Sequence, residues 1–259
     1  MPFIESTNLR VHYQLTGRPG APVLVFSNSL GTNLSMWDPQ LAAAEQLFQV
    51  LRYDSRGHGL TTVTPGPYSI ELLGRDVLAL LDQLKIQSAH FCGLSKGGMI
   101  GMWLGAHAPD RLRNLVLCNT AAKIGTRESW DGRIKSVREG GMKAIAPSVI
   151  ERWFTPEFRR ASPAIVARTR QMIENSPPDG YVASCEAIRD MDQREAISEI
   201  RVPTLVISGT KDPVIPLGES LFLSQRISGA HSVDLETAHL SNIQASEEFT
   251  SAIIRFLTA

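Results

Sequence analysis

The chain has 259 residues, enough for one large core with or without an inserted subdomain. Hydrophobic residues make up 43% and charged residues 20%, a globular balance that argues against a disordered or membrane-embedded chain. Lys plus Arg number 26 and so do Asp plus Glu, so no broad charged surface for nucleic acid or anionic lipid is expected; a charged small molecule would have to be met by a local residue.

Residues 3–6 and 9–15 are expected to pair as a hairpin around Thr7-Asn8. Continuous apolar runs follow at 22–28, 48–53, 89–93, 114–119 and 203–209, with a weaker one at 232–236. Such runs suit strands of a parallel sheet covered on both faces. Residues 68–84 carry Ile70, Leu73, Val77, Leu80, Leu81 and Leu84 at helical spacing behind Ser69, a candidate N-cap. Residues 97–108 are small and apolar, as a helix pressed against a sheet should be, and 241–257 reads as a closing helix. The alternation predicts an α/β fold with right-handed crossovers.

Between 121 and 199 no strand pattern occurs. Helical patterns at 127–139, 142–154, 163–175 and 179–189 are separated by the turn signals Gly140-Gly141, Thr155-Pro156 and Ser176-Pro177-Pro178. The core is therefore assigned to 1–121 and 200–259, and 122–199 to an inserted helical lid.

Cys92, Cys118 and Cys185 are odd in number and form no Cys-x-x-Cys pair, so neither a disulfide framework nor a zinc site is expected. Residues 1–10 show no basic stretch followed by an apolar run, and no segment has the length of a membrane span. These features fit a cytoplasmic protein with reduced thiols. His-Glu-x-x-His and phosphate-binding glycine patterns are missing, so no metal or cofactor is expected. Oligomeric state is not readable at this level.

The chemistry centres on Gly93-Leu94-Ser95-Lys96-Gly97, set between a strand and a small-residue helix. A serine hydroxyl needs a base, a group that orients the base, and donors for the oxyanion it creates. A sharp strand-to-helix turn would expose the Ser95 hydroxyl, with glycines at both flanks avoiding a clash. This context resembles the nucleophile elbow of α/β-hydrolases, whose order is serine, acid, histidine. Asp212 follows the 203–209 strand and is the candidate acid; His239 follows the 232–236 strand and is the candidate general base. Oxyanion donors are expected from the backbone N–H groups of Lys96 and Leu30. The Lys96 side chain is expected to be exposed and snorkelling. His58 is expected to shape the loop after the 48–53 strand without direct chemistry. His12, His90, His107 and His231 are expected to be structural or exposed.

Several stretches carry a more specific likeness. The oxyanion loop 26–37, with Asn28-Ser29 where many relatives of this fold have His-Gly, is similar to that of 3-oxoadipate enol-lactonases. So are 52–59, Cys92-Gly93-Leu94-Ser95, 117–122, Arg152-Trp153-Phe154-Thr155-Pro156 and Ala238-His239-Leu240-Ser241-Asn242. Lys96 departs from the apolar residue, such as Met, expected there. The resemblance implies an eight-stranded, mostly parallel α/β-hydrolase sheet flanked by helices, with a helical lid. It also implies hydrolysis of an anionic five-membered enol-lactone to 3-oxoadipate in aromatic catabolism, without a cofactor. The substrate's free carboxylate needs a partner, and Arg133, one helical turn from Trp130, is the candidate; the alternative is a surface arginine. Asn28, Trp130 and Trp153 are candidates to line the substrate pocket. A carboxylesterase, a perhydrolase or a carbon–carbon bond hydrolase on the same scaffold remains open, as does a non-catalytic ligand-binding protein.

Overall fold

The apolar runs build strands β1 (Phe3–Ser6), β2 (Leu9–Gly17), β3 (Val23–Ser27), β4 (Gln49–Tyr53), β5 (Ala89–Leu94), β6 (Leu112–Cys118), β7 (Thr204–Gly209) and β8 (His231–Leu235). The computed structural model describes residues 2–6 and 9–259, so the turn expected at Thr7-Asn8 lies outside the described residues. All eight strands join one sheet in the order β1-β2-β4-β3-β5-β6-β7-β8. β2 runs antiparallel to both β1 and β4, and every later pairing is parallel. β3, β5 and β7 are buried at every position, which is why they read as unbroken apolar runs. β8 is one of the two edge strands and nowhere fully buried, which accounts for its weaker pattern.

Ten α-helices accompany the sheet among the described residues: α1 (Asp38–Ala44), α2 (Ile70–Gln83), α3 (Lys96–His107), α4 (Arg127–Trp153), α5 (Pro156–Ala161), α6 (Pro163–Glu174), α7 (Pro178–Asp190), α8 (Leu217–Arg226), α9 (Ser241–Gln244) and α10 (Ser246–Leu257). Ser69 caps α2 as its sequence suggests, its hydroxyl accepting the Leu72 N–H at 3.0 Å. α3 lies tight on the sheet because it presents glycine: a Cβ on Gly101 would meet Phe91 and Leu115 of β5 and β6 at 3.0–3.1 Å. Trp37, wholly buried, stacks on Phe26 of β3 and tilts against Phe249 of α10.

Two local expectations are corrected and one is met. The patterns at 127–139 and 142–154 are two helical arms, separated as expected at Gly141 (φ 66°, ψ −172°) and together labelled α4. Thr155-Pro156 opens the short α5 instead of a plain turn, with the Thr155 hydroxyl capping the Phe158 N–H and proline at the first position. The closing helix breaks at Ala245 (φ −126°, ψ 58°) into α9 and α10.

Helices α4–α7 lie between β6 and β7 in sequence and over the carboxyl ends of the strands in space. The Ser176 hydroxyl donates to the Gly31 carbonyl at 2.9 Å, the Asn33 N–H meets Met172 Sδ at 3.3 Å, and the Leu240 N–H donates to the Trp153 carbonyl at 3.1 Å. These contacts fix the inserted helices onto the loops after β3 and β8. No helix among the described residues is long and apolar enough to cross a membrane.

Candidate active site

Ser95 sits between the end of β5 and the first residue of α3 with φ 56° and ψ −114°. A positive φ is strained for a residue with a side chain and costs about 1–3 kcal/mol. Neighbouring glycines make the turn possible. A Cβ on Gly93 would lie 2.2 Å from the Gly97 carbonyl oxygen, and one on Gly97 would lie 2.1 Å from the Ser27 carbonyl oxygen. Ser95 is pinned through its backbone: its N–H donates to the Cys118 carbonyl at 2.9 Å, and its carbonyl accepts the Thr120 hydroxyl at 2.8 Å. The side-chain hydroxyl is left out of this bracing.

Asp212 and His239 come together from the loops after β7 and β8. His239 Nδ1 is 2.8 Å from Asp212 Oδ2, with both side chains almost completely buried. The Val214 and Ile215 N–H groups donate to Asp212 Oδ1 at 2.7 and 3.1 Å, and Asn119 Nδ2 donates to Oδ2 at 2.9 Å. Burial pushes the Asp212 carboxyl up, but the charge of His239 and these hydrogen bonds outweigh it and hold the group below the usual carboxylate range. With its Nδ1 turned to a carboxylate, His239 has its other ring nitrogen free to accept a proton.

Asn119 was not singled out from sequence. It directly follows β6 with φ 45°, and while its Nδ2 serves Asp212 its Oδ1 accepts the Ser241 hydroxyl at 2.6 Å. Ser241 therefore orients Asn119 instead of capping the helix that follows His239. The available signal was an asparagine at the carboxyl end of a parallel strand, where sites on such sheets lie.

The loop after β3 carries Leu30. The Leu30 N–H donates to no protein acceptor among the described residues, and the Lys96 N–H stands at the N-terminus of α3, where no helical partner exists. Loop shape is set from below. Gly31 N–H donates to His58 Nε2 at 3.0 Å, and Leu34 N–H donates to Asp54 Oδ1 at 2.8 Å, while Asp54 Oδ2 accepts from Leu60 N–H and contacts His12 Nδ1 at 2.7 Å. His58 thus shapes the site through the loop after β3 as well as its own.

Two expectations fail here. The Lys96 side chain is fully buried, not exposed, with Nζ 3.3 Å from His58 Nδ1. Burial pushes its ammonium down to about 7. Asn28 does not face a ligand. Its Nδ2 donates to the Tyr53 carbonyl at 2.7 Å and its Oδ1 accepts the Trp37 indole N–H at 2.9 Å, so it ties Trp37, just before α1, to the end of β4 behind the loop.

The lid residues separate into two places. Trp153 packs beside His239, ring centroids 6.3 Å apart, and is buried. Trp130 and Arg133 instead line a cavity of about 350 Å³ that also meets Pro213 and Val214, the residues after Asp212. The Arg133 guanidinium lies 5.6 Å from the Trp130 ring centroid and 5.5 Å from that of Tyr181. Tyr181 in turn stands over Gly31: a Cβ there would lie 3.0 Å from its ring. One aromatic ring therefore separates Arg133 from the loop after β3.

This arrangement, a serine at a strained turn with an acid and a histidine after later strands, defines a serine hydrolase scaffold. Residues 22–246 match the family model for the alpha/beta hydrolase fold, and the chain belongs to that family. Within it, the chain belongs with the 3-oxoadipate enol-lactonases. It is 41% identical to 3-oxoadipate enol-lactonase 2 of Acinetobacter baylyi, over 96% of this chain and 94% of that one. With 3-oxoadipate enol-lactonase 1 of the same organism it shares 38% identity over 94% and 91%. The crystal structure of the enol-lactonase from Burkholderia xenovorans LB400 superimposes with a TM-score of 0.98 and 45% identity, covering both chains completely.

Proposed function

We propose that this protein opens the ring of 3-oxoadipate enol-lactone through an acyl-enzyme on Ser95. The observation that carries the reading is the His239 Nδ1–Asp212 Oδ2 hydrogen bond of 2.8 Å, taken with a serine held at a strained elbow. It supports His239 as a base in one tautomer and one orientation.

Ser95 Oγ attacks the lactone carbonyl as His239 takes its proton. The tetrahedral oxyanion lies against the Leu30 and Lys96 N–H groups, one of them at the positive end of α3. Collapse breaks the ring C–O bond and leaves an acyl-enzyme; the departing enolate takes the proton from His239 and becomes the ketone. His239 then removes a proton from water, which attacks the acyl carbon and frees the second carboxylate with Ser95 restored. No step calls for a cofactor.

The substrate carries a free carboxylate throughout, and Arg133 on the lid face is its anchor, with Trp130 as the apolar wall beside it. Residues 122–199 act as the lid that selects substrate, and 1–121 with 200–259 as the core that performs the chemistry. The test follows loss of the enol-lactone's ultraviolet absorbance beside hydrolysis of a neutral aryl ester. Arg133→Ala should depress turnover of the anionic lactone far more than that of the ester. Equal losses on both would sink the anchor, and wild-type protein inert toward the lactone would sink the proposed substrate.

A further inference from the structure

We infer that Arg152 is a second specificity-determining residue, and that the kink in α4 closes Arg133 and Arg152 as a two-guanidinium clamp on one carboxylate. This rests on the proposed anionic substrate and names a further residue that recognises it.

On a straight helix these two arginines would stand roughly 28 Å apart and could not share a ligand. Gly141, with φ 66°, breaks α4 between them. Trp130, Arg133 and Ser136 of the first arm then face Ile145, Ser148 and Arg152 of the second across the same 350 Å³ cavity. Within each arm the spacing is three or four residues, so each set lies on one helix face.

Charge sets this cavity apart. Neither Arg133 nor Arg152 has a carboxylate partner among the described residues, whereas Arg127 and Arg138 of α4 and Arg189 of α7 pair with Asp190, Glu186 and Asp131. Arg133 Nε is buried and makes no hydrogen bond. Arg152 Nε donates to the Ser148 carbonyl at 3.1 Å, which aims the guanidinium and leaves its two terminal nitrogens for a ligand. Burial, and then the positive charge of Arg133, weaken the hold of Arg152 on its proton. Two like charges held together, half-buried and unpaired, repel each other until an anion lies between them. A carboxylate has the two oxygens and the planar shape that paired guanidinium forks recognise.

The experiment compares wild type, Arg152→Gln, Arg152→Lys, Arg133→Gln and the Arg133→Gln/Arg152→Gln double variant on three substrates: the enol-lactone, a neutral aryl ester, and an aryl ester with a free carboxylate on its acyl chain. Arg152→Gln should raise KM for both anionic substrates by about tenfold to a hundredfold and leave the neutral ester largely unchanged. Arg152→Lys, which keeps the charge but not the fork, should fall between. Because both arginines would hold one carboxylate, the double variant should lose less than the product of the single losses. A small keto acid should raise the Tm of wild type but not of the double variant, a readout independent of turnover. Equal losses on charged and neutral esters, or strictly multiplicative effects, would overturn the clamp. If wild type ignores the lactone yet prefers the carboxylated ester in an Arg152-dependent way, the clamp stands and the proposed substrate falls.

Discussion

Lys96 Nζ lies 3.3 Å from His58 Nδ1, and His58 Nε2 accepts the Gly31 N–H at 3.0 Å. To accept that bond, Nε2 must be unprotonated, so the ring proton sits on Nδ1, facing the Arg56 carbonyl at 3.2 Å and the lysine. Burial, and then the lysine charge, push the histidine far below its ordinary range, which agrees with a neutral ring. An ammonium at Lys96 finds no free acceptor on His58, while a neutral amine can accept from Nδ1.

The buried lysine makes stability depend on pH. Its folded-state pKa is lowered from 10.5 to about 7. Above the unfolded value the amine is neutral in both states and burial carries no charge penalty. As pH falls from 10.5 to 7 the unfolded chain binds a proton that the folded chain refuses, so stability is lost across that window, and below 7 the whole cost remains. Lys96→Met should therefore unfold at higher denaturant than wild type at pH 6, by a few kcal/mol, with the gap closing toward pH 10. Urea midpoints at the two pH values decide it; a gap that ignores pH would show that Lys96 carries no such penalty.

Asn119 should act as a positioning residue for the acid. Asn119→Ala removes one of the hydrogen bonds on Asp212, so kcat on an aryl ester should fall by about one to two powers of ten while KM changes little. The Asp212 carboxyl is held low in the folded state, so its stabilising contribution is present above 3.8 and disappears as pH falls through the lowered folded value. Loss of the Asn119 donor moves that folded value up, and acid unfolding should begin at a higher pH. An unchanged acid-unfolding curve would count against this role.

Gly97 is intolerant of any side chain. A Cβ there would sit 2.1 Å from the Ser27 carbonyl oxygen, and neither backbone can retreat without moving β3 from β5. Gly97→Ala should cost about 3 kcal/mol or prevent folding, read by thermal unfolding. Near-native stability would mean that the elbow has slack.

Asn28 should matter for stability, not for substrate. Asn28→Ala leaves the Trp37 indole N–H and the Tyr53 carbonyl buried without that partner, at a cost of about 2–4 kcal/mol. Enzyme that remains folded should keep its KM for the enol-lactone, and a large rise in KM with little loss of stability would restore Asn28 to the binding site.

Sequence by itself determined the sheet and the inserted helices, and it singled out Ser95, Asp212 and His239 as the candidate site. Strands covered on both faces must be continuously apolar, an amphipathic helix must repeat its apolar face, and an elbow this tight must have glycine at Gly93 and Gly97; all of these are local demands written into neighbouring residues. The edge strand β8 was faint because an edge need not be apolar on both faces. Only the tertiary structure decided which side chains share an environment. Lys96 is of a residue type that usually stays at the surface, yet the fold buries it completely beside His58. Asn28 looks like a ligand contact until Trp37 and Tyr53 are seen to occupy it. Arg133 and Arg152 are remote along the chain, and no periodicity joins them; the break at Gly141 separates the two arms of α4, and a face of each lines one cavity.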